Sequence, residues 1–313
     1  MVTNLTEKAV SMEKRFLHED ALSESSFSAL KSLIKSGKPS SILRFSAIET
    51  RMCYDYRDIP NRHPPENLIK ILKQNTGFYC TDPTAEVDVL KRFADISLKA
   101  YAKCDYIASF LSPQDEAYAF VGKCMTLVPH LDVCYVPSYP VSLNRWMPLL
   151  EGLKVLVISP FPKSIASQLE HKSRLFENGP NAFQFPQCEI SLYQAHNTIL
   201  GNTPFPCENW VESFEQMVSE ISCMDFDLAL VGAGAYGVPL CSAVKDMGKI
   251  GFHVASAVQL AFGLMGKRWR TYPHIQEFYN DFWNYPLASE TPKSAHLVES
   301  GCYWNPNINL ASS

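Results

Sequence analysis

Asp225-Phe-Asp-Leu-Ala-Leu-Val231, followed at once by Gly232-Ala-Gly-Ala-Tyr-Gly237, is the stretch that decides the fold. Its first part is an apolar run of strand length, as expected of a parallel strand buried on both faces. Its second part fits the pattern GxGxxG and opens an apolar helix over 238–247, which Gly248 closes. A strand, a glycine turn and a helix in that order form the first half of a βαβ unit. On the C-terminal side, 250–254 reads as the next strand and 257–264 as the next helix. Toward the N-terminus, 154–158 is an equally apolar strand with a helix over 163–176. Residues 188–193 read as a further strand, with a helix over 208–222 after it. Strand and helix thus alternate at roughly 20 to 35 residues per unit, the signature of an α/β fold. The expected class is a Rossmann-like, doubly wound, mostly parallel sheet.

The first half is less regular. Residues 41–45 read as a strand, 47–56 as a helix, 59–65 as a Pro/Asn/His-rich loop, 66–74 and 85–102 as amphipathic helices, and 106–111 as an apolar run of strand length. From 113 to 146 the pattern is helix and then a β-rich piece around 133–136. Residues 7–18 and 26–34 have apolar positions three and four apart, ended by Gly37-Lys38-Pro39, so the N-terminus reads as a helical cap. The expected partition is an N-terminal helical segment, 1–40, and a single domain, 41–313.

Composition narrows the function classes. The chain has 313 residues, 46% hydrophobic, with 28 basic against 32 acidic side chains. That balance excludes a disordered chain and gives no global attraction to nucleic acid or to an anionic membrane. The longest nearly uncharged apolar stretch, 254–266, falls short of the roughly 20 residues a spanning helix needs. Charges interrupt the N-terminal segment where a signal peptide needs its apolar centre, so a cytoplasmic location is expected. The ten cysteines form no CxxC pair and no zinc-ligand spacing, and they read as reduced, buried packing residues.

In an open α/β sheet the ligand sits beyond the carboxyl ends of the strands, so the polar residues there are the candidates. They are Arg44, Ser46 and Glu49 after the first strand; Ser159 and Lys163 after 154–158; then Tyr236, His253, Ser256 and Gln259; and Lys267 and Arg268 after the last helix. Glu49 has the chemistry of a general base or a metal ligand, and Arg44, Lys267 and Arg268 that of anion binders. Arg44 and Glu49 pairing with each other, and His253 serving as a hydrogen-bonded core residue, are the plainer readings. Gly232, Gly234 and Gly237 leave three readings open: a dinucleotide turn, a phosphate cradle for a nucleotide or sugar phosphate, and simple close packing of strand on helix. The dinucleotide version, and with it an NAD(P)-dependent oxidoreductase, expects an acidic residue at the end of the following strand. That strand ends in Phe252-His253-Val254-Ala255. GxSxG, P-loop and HExxH motifs are absent from the sequence.

Several blocks resemble, in order, those of a bacterial-type family related to glycosyltransferases of the GT-D type. They are Lys154-Val-Leu-Val-Ile-Ser-Pro-Phe161, Asp227-Leu-Ala-Leu-Val-Gly-Ala-Gly-Ala-Tyr-Gly-Val-Pro-Leu240, Gly248-Lys-Ile-Gly-Phe-His253, Gln259-Leu-Ala-Phe-Gly-Leu-Met-Gly-Lys-Arg-Trp269 and Val298-Glu-Ser-Gly-Cys-Tyr-Trp304. The resemblance implies transfer of a sugar from a nucleotide-sugar to a hydroxyl acceptor. It also implies a turn of the form RFGDGE, whose two acids go with a divalent metal, manganese or magnesium, and with the donor diphosphate. The matching stretch is Arg44-Phe-Ser-Ala-Ile-Glu49, with Ala47 at the position of the Asp. One carboxylate holds a divalent ion less well than two. The family pattern also expects His at Ser159 and glycines at Ala255 and Ser256. On this resemblance Glu49 and His253 are the catalytic candidates. Arg44, Ser46, Gly232, Gly234, Tyr236, Gly237, Gln259, Lys267 and Arg268 are the donor-binding ones. A non-catalytic nucleotide- or sugar-binding protein on the same fold is the rival expectation.

Overall fold

The computed structural model describes residues 20–44, 48–50, 52–53, 66–109, 127–129, 141–179, 182–202 and 205–307. Seven strands form one sheet: β1 (Ser40–Arg44), β2 (Tyr106–Ser109), β3 (Leu127–Pro129), β4 (Lys154–Ser159), β5 (Glu189–Gln194), β6 (Leu228–Val231) and β7 (Ile250–His253). Their order is β3-β2-β1-β7-β6-β4-β5, and every pairing is parallel. This is the expected α/β, Rossmann-like fold.

Alternation along the strands divides the core in two. Ile42, Val155, Val157, Leu228, Leu230, Ile250 and Phe252 point to one face, which is covered by helix α1 (Asp20–Ser36) through Leu30 and Ile34, by Trp146, and by the C-terminal segments carrying Trp269, Trp283 and Trp304. Leu43, Ile107, Leu156, Ile158, Ala229 and Val231 point to the other. Helices α2 (Glu66–Thr76), α3 (Glu86–Lys103), α6 (Trp210–Ile221) and α7 (Gly237–Asp246) cover that second face. Between these two come α4 (Val141–Trp146) and α5 (Pro162–Leu169). With helices on both faces, strands β4, β6 and β7 have no polar face to show, which is why they read as unbroken apolar runs. Each fully buried aromatic, such as Phe252 with its edge to Trp146 at 5.4 Å, contributes about 2–3 kcal/mol of burial.

Several expected elements differ in detail. The helix over 163–176 stops at Leu169 and resumes as a short 3-10 turn at Lys172–Arg174. Lys172 and Ser173 stand where an apolar residue is needed to keep the inner face, and Leu175 is the next anchor. The helix over 257–264 ends at Ala261 because Gly263 turns with φ 64°. The helix over 208–222 starts at Trp210, since Asn209 caps it by accepting from the amides of Val211 and Glu212. Strand β3 and helix α4 were not expected. The helix over 7–18, the β-rich piece at 133–136 and much of the helix over 47–56 lie outside the described residues. Eight cysteines are described and all are free, with Cys223 exposed. No helix among the described residues is long and apolar enough to cross a membrane.

Candidate functional site

The strand order makes a crevice. From β4 the chain moves outward to β5, and from β6 it moves inward to β7, so connections from two neighbouring strands part in opposite directions at their carboxyl ends. Register aligns Ile158 with Val231 and Val231 with His253, which brings Ser159, Gly232 and His253 to the same edge. Arg44 ends β1 on the far side of β7. A cavity of about 470 Å³ opens there. Of the eleven residues expected at the site, Arg44, Glu49, Gly232, Gly234, His253, Gln259 and Arg268 line it.

The others do not. Tyr236 faces the core, stacked on Trp210 at 5.0 Å, and its hydroxyl shares a 2.9 Å hydrogen bond with Thr198 Oγ1. Thr198 in turn donates to the Gly77 carbonyl, so Tyr236 fixes from behind the end of α2, which carries Asn75, and the loop that carries Asn197 into the cavity. Lys267 is exposed and holds the Ser300 carbonyl at 2.8 Å. Gly237 packs under the His253 ring: a Cβ on it would lie 2.7 Å from Cδ2 and 3.2 Å from Cε1. Ser46, with Ala47, lies outside the described residues.

The glycine turn is built for packing as much as for access. A Cβ on Gly232 would overlap the Ala255 carbonyl, and one on Gly234, which has φ 53°, would overlap the Thr76 carbonyl. Protein atoms thus occupy the space that a dinucleotide turn leaves for a pyrophosphate. Ala255 itself has φ 49°, a left-handed conformation that explains why glycine is expected there.

Among the described residues, four ionic groups line the cavity: Arg44, Arg268, Glu49 and Glu299. Glu49 sits in a helical segment just past β1. Burial pushes its carboxyl up to about 7; its own backbone hydrogen bond and Arg44 oppose the rise, and Glu299 adds to it. A carboxyl with that value is about half ionised near neutral pH, as a general base needs. Burial, helped by Arg44, pulls the His253 imidazole down to about 3, so the ring is neutral. Arg268 pairs with Glu299 and lies over the Tyr303 ring at 4.8 Å.

The most telling feature is a set of unused polar atoms. His253 Nδ1, Gln259 Oε1, Asn75 Oδ1 and Asn197 Oδ1 are buried without hydrogen-bond partners, and all four residues line this cavity. An unsatisfied buried polar group costs about 1–3 kcal/mol, so four around one cavity mark where water or a ligand's polar groups would bond. Gln259 is fixed in direction, because its Nε2 donates to the Tyr303 carbonyl at 2.7 Å and to that of Met265 at 3.4 Å. Its oxygen is therefore left as the unpaired acceptor of this side chain. Asn75, Asn197 and Glu299 could be found only by folding the chain, since they come from α2, the loop after β5 and the C-terminal segment.

Among the described residues the donor set does not suit a divalent metal. No group of three or more His, Cys, Asp or Glu side chains able to hold one occurs among the described residues, and the Glu299 carboxylate is taken by Arg268.

No family model matches the chain, and neither a curated protein nor a solved structure matches it. What the geometry defines is the class: a Rossmann-like α/β protein with a cavity of mixed polar and apolar lining at the carboxyl ends of β1, β4, β6 and β7.

Proposed function

We propose that the chain is a glycosyltransferase that binds a nucleotide-sugar in this cavity and passes the sugar to a hydroxyl acceptor. The supporting observation is the cavity's make-up: acceptor atoms of Gln259, Asn75 and Asn197 suit the hydroxyls of a sugar, and two guanidiniums suit a diphosphate. The block resemblance points the same way. In this reading Glu49 takes the proton from the acceptor hydroxyl, whose oxygen then bonds to the anomeric carbon. The bond from that carbon to the diphosphate breaks, and the nucleoside diphosphate leaves with the electron pair, its charge met by Arg44 and Arg268. Neutral His253 orients the sugar or acceptor through Nδ1.

One observation favours the rival, a non-catalytic nucleotide- or sugar-binding protein: among the described residues the cavity's two guanidiniums are faced by two acidic side chains, Glu49 and Glu299, which reduces the net field for a departing diphosphate. The two readings separate on Glu49→Gln. In an enzyme this variant keeps donor binding and loses release of nucleoside diphosphate. In a binding protein the wild type already shows binding without release. A wild type that neither binds nor turns over nucleotide-sugars contradicts both.

A further inference from the structure

One of the cavity's two cations already carries an oxyanion, supplied by the protein. Arg268 Nη2 donates to Glu299 Oε2. A guanidinium clasping a carboxylate at a cavity wall offers the geometry that it would offer a phosphate oxygen. The backbone that delivers this carboxylate is strained, for Glu299 and Ser300 have φ values of 44° and 60°. Residues with a β-carbon avoid that region, and two in succession persist only where the surroundings hold them. Lys267 Nζ holds the Ser300 carbonyl at 2.8 Å, and the Arg268 amide donates to the Cys302 carbonyl at 2.9 Å. The Gly301 amide closes the turn on the Val298 carbonyl at 2.8 Å. None of these anchors uses the Glu299 carboxylate. Besides Arg268 it accepts from the Cys302 thiol at 3.5 Å, and, 41% exposed, it can turn to solvent by giving up those two bonds while the turn stays in place.

We infer that Glu299 is a built-in stand-in for the ligand's anionic group, holding Arg268 until a phosphate or diphosphate takes its place. The guanidinium then exchanges one oxyanion for another. Affinity for the anion becomes the difference between two pairings, so the carboxylate sets a threshold that weak anions do not pass. The inference rests on the proposed function only for the natural ligand, since the diphosphate of a nucleotide-sugar and free pyrophosphate present the same chemistry.

The test is calorimetric titration of inorganic pyrophosphate into the wild type, Glu299→Gln, Arg268→Gln and the double variant. Glu299→Gln should bind about tenfold more tightly than the wild type, Arg268→Gln should bind more weakly, and the gain from Glu299→Gln should vanish in the Arg268→Gln background. Glu299→Ala, which leaves no group able to bond to Arg268, should repeat the gain. Unchanged or weaker affinity in Glu299→Gln, or no binding by either protein, overturns the exchange. Equal tightening in the Arg268→Gln background also overturns it, because that is a general charge effect. Nucleotide-sugar binding that is indifferent to Glu299→Gln removes the exchange and leaves the proposed function. Tighter pyrophosphate binding with no nucleotide-sugar bound does the reverse.

Discussion

Glu49→Gln replaces a carboxyl raised from 4.5 to about 7 by a neutral amide of the same shape. Burial is the main cause, so the folded state favours the neutral form and the unfolded chain ionises first. The stability that the neutral carboxyl contributes is therefore complete below pH 4.5 and is lost as pH rises toward 7, by up to about 1.4 kcal/mol per pH unit. Over that interval the loss sums to about 3 kcal/mol, with the attraction of Arg44 and the repulsion of Glu299 already included. The amide does not titrate. Urea unfolding followed by tryptophan fluorescence, run in parallel on both proteins from pH 4 to pH 8, cancels the other titrating groups. The variant should match the wild type at the acid end and exceed it by about 3 kcal/mol at the alkaline end. A difference that stays flat across the range would refute the reasoning, because Glu49 would then ionise as it does in the unfolded chain and could not be a half-protonated base at neutral pH.

Three further outcomes follow from the same geometry. His253, pulled down to about 3, should show no titration of its ring proton resonances between pH 5 and 8; a midpoint near the ordinary 6.5 would place it in solvent. Gly237→Ala drives a methyl into that ring and should cost about 1–3 kcal/mol in urea unfolding, most of it recovered when His253 is also replaced by Ala. Ala255→Gly relieves the left-handed backbone at φ 49° and should raise stability by about 0.5–1 kcal/mol; a loss would show that the methyl is packed rather than strained.

Much of this was legible in the sequence, and the reasons are physical. Strands β4, β6 and β7 sit between two layers of helices, so their central residues had to be apolar, and parallel pairing brought the residues at their ends to one edge. That is how Arg44, Glu49, Gly232, Gly234, His253, Gln259 and Arg268 were found together. What failed was facing. Tyr236 and Gly237 belong to the same turn, but its first helical residues point back into the core and under His253. Lys267 immediately precedes Arg268 in sequence yet points outward to Ser300. Asn75 and Asn197 had no local signal, because nothing near them in sequence marks a helix end or a loop as a cavity wall. Strand β3 has three residues, too few to show a period.

The central claim is that the cavity binds a nucleotide-sugar, and calorimetric titration with a panel of nucleoside diphosphate sugars tests it most directly. The account predicts binding of at least one donor by the wild type, weakened about tenfold or more in Gln259→Leu, which removes the fixed acceptor. No heat from any member of the panel, with or without manganese, or equal affinity in Gln259→Leu, would contradict it.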